Sequence, residues 1–333
     1  MGRLVFIVGP TGVGKTALAV DLAVRYHGEI IGADSRQVYR HMDIGTAKPT
    51  AQQQRQARHH LLDILDPDQQ FDVATFLSMA RPAASDIRSR NGLPIIAGGT
   101  GQYIWALHDG WEVPKPLPDL RFREAKELEA EQKGPAVLHE ELKAIDPRRA
   151  AQIHPNNVRR VIRALEIHHA TRRLPSQMAE RSGAGPDALV IGLTMERQEL
   201  YERIDRRVDA MMSAGFLDEV KRLAEMGFAI GKGPLSSPGY RELGRFLDGE
   251  MSLDEAVQRT KYQTHRLVRR QYSWFKPNDP RIHWLNAAVG GSDAAGSGLQ
   301  RQASDLVYRF LADKGSCDTI AQRPSGRPSD EIH

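Results

Sequence analysis

The sequence predicts an α/β protein, a parallel sheet core with helices on both faces and an inserted all-helical domain. Three observations carry this expectation. Short apolar runs alternate with helical patterns from the first residues onward. The residues with chemical potential fall just after those runs, where ligands bind in such sheets. A long charged stretch in the middle of the chain has no strand pattern.

Leu4 to Val8 is continuously apolar, which suits a strand buried on both faces. From Thr16 to Tyr26, Leu18, Leu22 and Val24 mark the apolar face of a helix. Glu29 to Ala33 reads as a second strand, Leu61 to Leu65 as a third and Leu93 to Ala97 as a fourth; Asp187 to Leu193 and Ile282 to Leu285 complete the sheet. Pro114, Pro116 and Pro118 mark a break, and the charged helical stretch that follows reads as an insertion between two strands. The expected division is therefore a core of residues 1–113 and 187–286, a helical insertion of 114–186, and a linker and tail of 287–333. Gly290, Gly291, Ser292, Gly296 and Ser297 suggest the linker, a short amphipathic helix is expected over Ala303 to Leu311, and Gly315 to His333 is too polar and proline-rich to pack.

Composition narrows the function classes. With 333 residues, 40% hydrophobic and 26% charged, the chain is ordinary for a globular protein. No apolar run approaches the roughly 18 residues needed to cross a bilayer. The amino end enters a strand directly, without a basic segment and cleavable apolar stretch. Cys317 is the single cysteine, so an internal disulfide and a Cys-based zinc site are excluded. These features predict a cytoplasmic protein without a membrane partner.

Gly9-Pro10-Thr11-Gly12-Val13-Gly14-Lys15-Thr16 matches G-x-x-x-x-G-K-[ST] between a strand and a helix, the P-loop context. Its amides would cradle phosphate at a helix N-terminus, Lys15 would reach phosphate oxygens, and Thr16 would offer a hydroxyl to Mg²⁺. A nucleoside triphosphatase or small-molecule kinase fits this loop. It would also need a strand ending in a metal-holding aspartate. Ile30 to Asp34 is the best candidate, whereas Leu93 to Ala97 runs into glycines.

Asp34-Ser35-Arg36-Gln37 follows the second strand, where a carboxylate would hold metal, accept a proton, or cap a helix. Gly98-Gly99-Thr100-Gly101 follows the fourth, where Thr100 would donate to a ligand oxygen or the turn would serve only the chain. Arg203 and Arg207 lie four apart beside the apolar face Leu200, Ile204, Val208 and Met211, either gripping an anion or pairing with Glu199 and Glu202. Phe71, Val73 and Phe76 suit an apolar ligand pocket or plain core equally well. Two basic clusters suit a polyanion. One is Arg148, Arg149, Arg159, Arg160, Arg163, Arg172 and Arg173. The other is Arg259, Lys261, Arg266, Arg269, Arg270 and Lys276, interleaved with Tyr262, Tyr272, Trp274 and Phe275.

Taken together, GPTGVGKT, DSRQVY, DIGTAKP, HHLLDILDP, GGTGQY, HPNNVRRVIRALEI, GFLDEV, GYRE and RRQYSWFK occur in the order seen in bacterial tRNA dimethylallyltransferases. The chain resembles that family over residues 1–285. Gln102 and Pro238 depart from the family's usual residues, and no Cys/His zinc finger follows the core. The resemblance implies transfer of a dimethylallyl group from dimethylallyl diphosphate to the exocyclic amine of an adenosine adjacent to the anticodon. It implies Mg²⁺ as cofactor and tRNA as partner, with a monomer expected. Asp34 would be the base, Thr100 would contact the bridging oxygen, and Lys15, Arg203 and Arg207 would hold diphosphate. The candidate tRNA contacts are Asp34, Ser35, Arg36, Gln37, Thr100, Arg121, Arg159, Arg160, Val161, Ile162, Arg163, Ser237, Gly239, Tyr240, Arg241, Arg269, Arg270 and Trp274. Competing expectations are an adenylate isopentenyltransferase acting on free nucleotides, a small-molecule kinase or RNA-stimulated ATPase with ATP in the loop, and a non-catalytic RNA-binding protein.

Overall fold

A computed structural model describes residues 2–111, 119–178, 185–288 and 293–313. Strand β1 (Leu4–Val8) leads into α1 (Lys15–Arg25), followed by β2 (Glu29–Gly32), α2 (Ala51–Gln56), β3 (His59–His60), α3 (Val73–Ser89), β4 (Pro94–Ala97) and α4 (Gly101–His108). A separate compact unit spans Asp109–Ala184. Its helices are α5 (Leu120–Lys133), α6 (Pro135–Ile145), α7 (Pro147–Ala150), α8 (Val158–Thr171) and α9 (Pro175–Met178). The chain then returns to the sheet with β5 (Ala188–Thr194). Next come α10 (Arg197–Ser213), α11 (Phe216–Glu225), a 3-10 turn (Gly233–Ser236), α12 (Tyr240–Leu247), α13 (Leu253–Trp274), β6 (Ile282–Asn286) and α14 (Asp293–Ala312).

The six strands form one sheet in the order β3-β2-β4-β1-β5-β6, and every pairing is parallel. All five residues of β1 are buried, as a central strand covered on both faces requires. Helices flank both faces of this sheet. Parallel pairing puts the carboxyl ends of β1, β2 and β4 at one edge, so the loops after Val8, Gly32 and Ala97 open side by side.

The helices start for local reasons. Ser252 caps α13 by accepting from the amide of Glu255 at 3.2 Å, and Asp254 and Glu255 in its first turn complement the helix dipole. Asp72 caps α3 in the same way through the amide of Thr75.

Three expectations need correction. The third strand is not Leu61 to Leu65 but His59–His60, because Leu61 (φ 59°) and Asp63 (φ 54°) adopt left-handed backbone that breaks the extended run. Leu65 retains one isolated parallel bridge to Tyr39. Val24 is 55% exposed; the buried face of α1 is Leu18, Ala19, Val20, Leu22 and Ala23. The helix expected over Ala303 to Leu311 is present but begins earlier, as α14 from Asp293, where linker was expected; its Ala303 and Val307 are buried in the main core. The Tyr26 hydroxyl donates to the Ser304 carbonyl at 2.8 Å and ties α1 to it. Pro114, Pro116, Pro118, Gly290, Gly291, Ser292 and the stretch Gly315 to His333 with Cys317 lie outside the described residues.

The helical unit has its own core of Leu138, Leu142, Ile153, Val161, Ile162 and Leu165. Among the described residues, no helix is long and apolar enough to cross a membrane.

Candidate active site

The loops after β1, β2 and β4 line one cavity of about 600 Å³ together with α10, α13 and the 3-10 turn. The phosphate loop reaches this cavity through Thr11. Gly9 has φ +135°, and a Cβ there would fall 2.4 Å from the Leu193 carbonyl oxygen on β5, so only glycine fits. Lys15 curls back to donate to the Pro10 carbonyl at 2.7 Å. Burial of its ammonium pulls its pKa down to about 8; the Asp34 carboxylate opposes that shift, and the charge of Arg207 adds to it. Burial also lowers the pKa of Arg207, reinforced by the charge of Arg203 and opposed by Asp34. Three cations thus converge with a single carboxylate. That imbalance favours an anion between them.

Asp34 sits at the end of β2 with its Oδ1 accepting from the amides of Arg36 (2.8 Å) and Gln37 (3.4 Å). These bonds make an Asx-type turn that orients the carboxylate; they cap no helix. Thr100 accepts from the Ser35 amide through Oγ1 at 3.1 Å, and its own amide donates to the Ala33 carbonyl at 3.2 Å. A hydroxyl that accepts still has its proton to donate.

The same cavity has an apolar wall of Ile204, Val208 and Met211 from α10, with Phe216 and Leu267. Phe76 stacks on Tyr103 at 4.7 Å and Phe71 meets the same ring edge-on at 5.8 Å. Neither aromatic lines the cavity, so both serve packing.

The structure gathers Thr11, Asp34, Ser35, Arg36, Thr100, Arg207, Ser237, Arg241, Arg270 and Trp274 around this cavity. Gly12, Val13, Gly14, Thr16 and Arg203 belong to the loop and helix that flank it. Gln37 is mostly committed to its own loop. Its Nε2 donates to the carbonyls of Thr46 and Ala47, both at 3.1 Å, so only Oε1 remains to meet a base. Arg269 is exposed on α13 and does not line the cavity; Trp274 is 38% exposed. In the same cluster Lys261 is paired with Asp209 at 2.7 Å, and Phe275 is fully buried.

In the helical unit, Arg121, Arg159 and Arg160 are exposed, whereas Arg163 is paired with the buried Glu166 at 2.5 Å. Val161 and Ile162 are buried in that unit's core and have no surface for RNA. Tyr240 is likewise fully buried, and a Cβ on Gly239 would fall 2.5 Å from the Phe216 ring. These three side chains and Gly239 are buried in the packing of their units.

Tyr240 instead reveals an anchor that sequence reasoning missed. The buried Glu219 carboxylate accepts from the amides of Asp43 (2.9 Å), Ile44 (2.7 Å) and Gly45 (3.1 Å), and from the Tyr240 hydroxyl at 2.7 Å. Burial and the charge of Glu219 push the Tyr240 pKa up. The motifs DIGTAKP, GFLDEV and GYRE meet at this point, and they hold Gly45, Thr46 and Ala47 at the cavity rim. Gln271 is a second omission. It is 8% exposed, and a polar residue on the buried stripe Ala256, Thr260, Val268, Gln271 of α13 was the available signal.

Comparison with known proteins agrees with this geometry. The profile of the family described as IPP transferase matches residues 37–278, and that of isopentenyl transferase matches residues 2–66. A tRNA dimethylallyltransferase of Thermomicrobium roseum is 43% identical over 323 residues, covering 97% of this chain and 96% of that protein. One from Roseiflexus is 46% identical over 308 residues, covering 92% and 98%. The crystal structure of the full-length tRNA isopentenylpyrophosphate transferase from Bacillus halodurans superposes with a TM-score of 0.68 at 40% identity, over 94% of this chain and 99% of that one. A eukaryotic dimethylallyltransferase acting on tRNA gives a TM-score of 0.80 at 28% identity, over 97% and 82%. With a phosphate loop, an apolar wall and an aspartate around one cavity, and with matches along nearly its whole length, the chain belongs to the IPP transferase family.

Proposed function

We propose that the chain transfers a dimethylallyl group from dimethylallyl diphosphate to the exocyclic amine of an adenosine adjacent to the anticodon of tRNA, releasing diphosphate. The observation that carries this reading is one cavity lined by Thr11 of the phosphate loop, by Asp34 and Arg207, and by the apolar wall of Ile204, Val208 and Met211, with Lys15 feeling the charges of Asp34 and Arg207. A triphosphatase has no use for that wall.

In this reading the diphosphate lies on the loop amides, with Lys15 and Arg207 stabilising the charge that grows as the carbon–oxygen bond breaks. Thr100 donates its hydroxyl proton toward the bridging oxygen, a direction free because Oγ1 accepts from Ser35. The five-carbon tail lies along Ile204, Val208 and Met211. An aromatic amine is a weak nucleophile, and Asp34 takes its proton as the carbon–nitrogen bond forms. The acceptor base has to leave its stack to reach the cavity. The exposed Arg269, Arg270 and Trp274 on α13 supply phosphate and stacking contacts for a loop of RNA.

Thr16 fits Mg²⁺. That ion keeps several waters and takes substrate phosphate oxygens, and a phosphate-loop hydroxyl is one of its usual protein donors. No group of three His, Cys, Asp or Glu side chains that could hold a metal by itself occurs among the described residues. When bound, the ion would neutralise charge on the leaving diphosphate. We further place the enzyme in the cytoplasm, as a monomer.

One assay tests the reading: labelled dimethylallyl diphosphate with unmodified tRNA, with AMP, and ATP alone. Label entering tRNA only is the expected result. Label entering AMP instead, or ATP turnover without transfer, contradicts it.

A further inference from the structure

The catalytic loops hang on different strands, and one buried side chain ties two of them together. Gln271 of α13 accepts from the amide of Thr11, in the phosphate loop, at 2.8 Å through Oε1. Through Nε2 it donates to the carbonyl of Gly99, in the loop after β4, at 3.2 Å. The fit is close: a Cβ on Gly99 would fall 2.3 Å from that Nε2. The next residue, Thr100, binds Ala33 and Ser35, which flank Asp34. A continuous path of hydrogen bonds therefore runs from the loop expected to hold the leaving group, through one carboxamide, to the backbone around the proton acceptor. Spatially this resolves a difficulty of the reaction. The diphosphate and the acceptor amine bind to different loops, and transfer needs their relative position held to a fraction of an ångström.

We propose that Gln271 is a positioning residue for the transfer reaction, clamping the phosphate loop to the Thr100 loop so that leaving group and base keep one register. The proposal rests on the function proposed above. A carboxamide serves both ends at any pH, one atom accepting and the other donating. The Thr11 amide is engaged by the clamp, so the donor phosphates use the amides further along the loop. Each substrate can then bind without the clamp, but the two are misaligned.

The test compares wild type with Gln271→Met, which keeps the volume and loses both bonds, and Gln271→Glu, which keeps only the acceptor while ionised. Thermal unfolding, donor binding, tRNA binding and steady-state kinetics are measured on the full chain. For Gln271→Met the expected result is a kcat about 10- to 100-fold lower, with affinities for donor and tRNA close to wild type. For Gln271→Glu the kcat ratio to wild type should rise as pH falls, because the protonated carboxyl regains a donor toward Gly99. Lys15, Asp34 and Arg207 are common to both enzymes and cancel in that ratio. Gln271→Met with wild-type kcat, or with donor affinity falling as far as kcat, overturns the clamp. If Gln271→Met does not fold, a flat pH ratio for Gln271→Glu overturns it alone. Failure of wild type itself to prenylate tRNA contradicts the functional reading instead.

Discussion

Thr100 grips the backbone on both sides of Asp34: its amide donates to the Ala33 carbonyl at 3.2 Å, and its hydroxyl accepts from the Ser35 amide at 3.1 Å. The aspartate is thereby held from a neighbouring strand as well as from its own. Its Oδ1 is further engaged by Arg36 and Gln37, so rotation of the carboxylate is restricted before any substrate arrives. Preorganisation of this kind is what a general base requires.

Asp34→Asn preserves an acceptor for the Arg36 amide but cannot take a proton. Transfer should fall by about 10²- to 10⁴-fold, the usual worth of a positioned base, while tRNA affinity stays near wild type. Single-turnover prenylation alongside filter binding measures both. A rate near wild type would remove Asp34 from the chemistry.

Lys15 gives a pH dependence whose sign is fixed by its lowered pKa of about 8. The charged ammonium, which attracts diphosphate, predominates in the free enzyme below that value and is lost above it. Hence kcat/KM for the donor should decline as pH rises through about 8. Lys15→Arg should move this limb upward, because a guanidinium keeps its charge. Lys15→Met should abolish the limb and lower kcat by about 10²- to 10³-fold, as loss of one stabilising donor does. A donor profile unchanged in Lys15→Met would separate the lysine from the phosphate site.

Arg269 and Arg270 are exposed together on α13. Replacing both by alanine should weaken tRNA binding and reduce the slope of log affinity against log salt by roughly 0.7–0.9 for each phosphate no longer neutralised. Titrations at several salt concentrations give that slope. An unchanged slope would put the RNA surface elsewhere.

Much of this was legible because it is local. The apolar run Leu4 to Val8, the glycine spacing to Lys15-Thr16 and the acid after Ile30-Ile31 each carry their signal within a dozen residues. What stayed hidden joins residues far apart. Gln271 reaches Thr11 across 260 positions, and Glu219 reaches Asp43 across 176, so neither bond leaves a trace in spacing. The burial of Tyr240 and Ile162 was equally hidden, since a residue inside a conspicuous motif does not show by its spacing that its side chain packs the motif in place. The third strand differs because left-handed backbone at Leu61 and Asp63 overrides an apolar run. Helix α14 starts ten residues before the expected one because Gly296, Ser297 and Gly298 read as linker.

The most direct measurement is a crystal structure with tRNA and a thiolo analogue of dimethylallyl diphosphate, in which sulfur replaces the bridging oxygen. The account predicts diphosphate on the amides of the Gly9 to Thr16 loop between Lys15 and Arg207, the prenyl tail against Ile204 and Met211, and an unstacked adenine with its amine at Asp34. An analogue bound away from that loop, or a cavity that excludes the base, would contradict it.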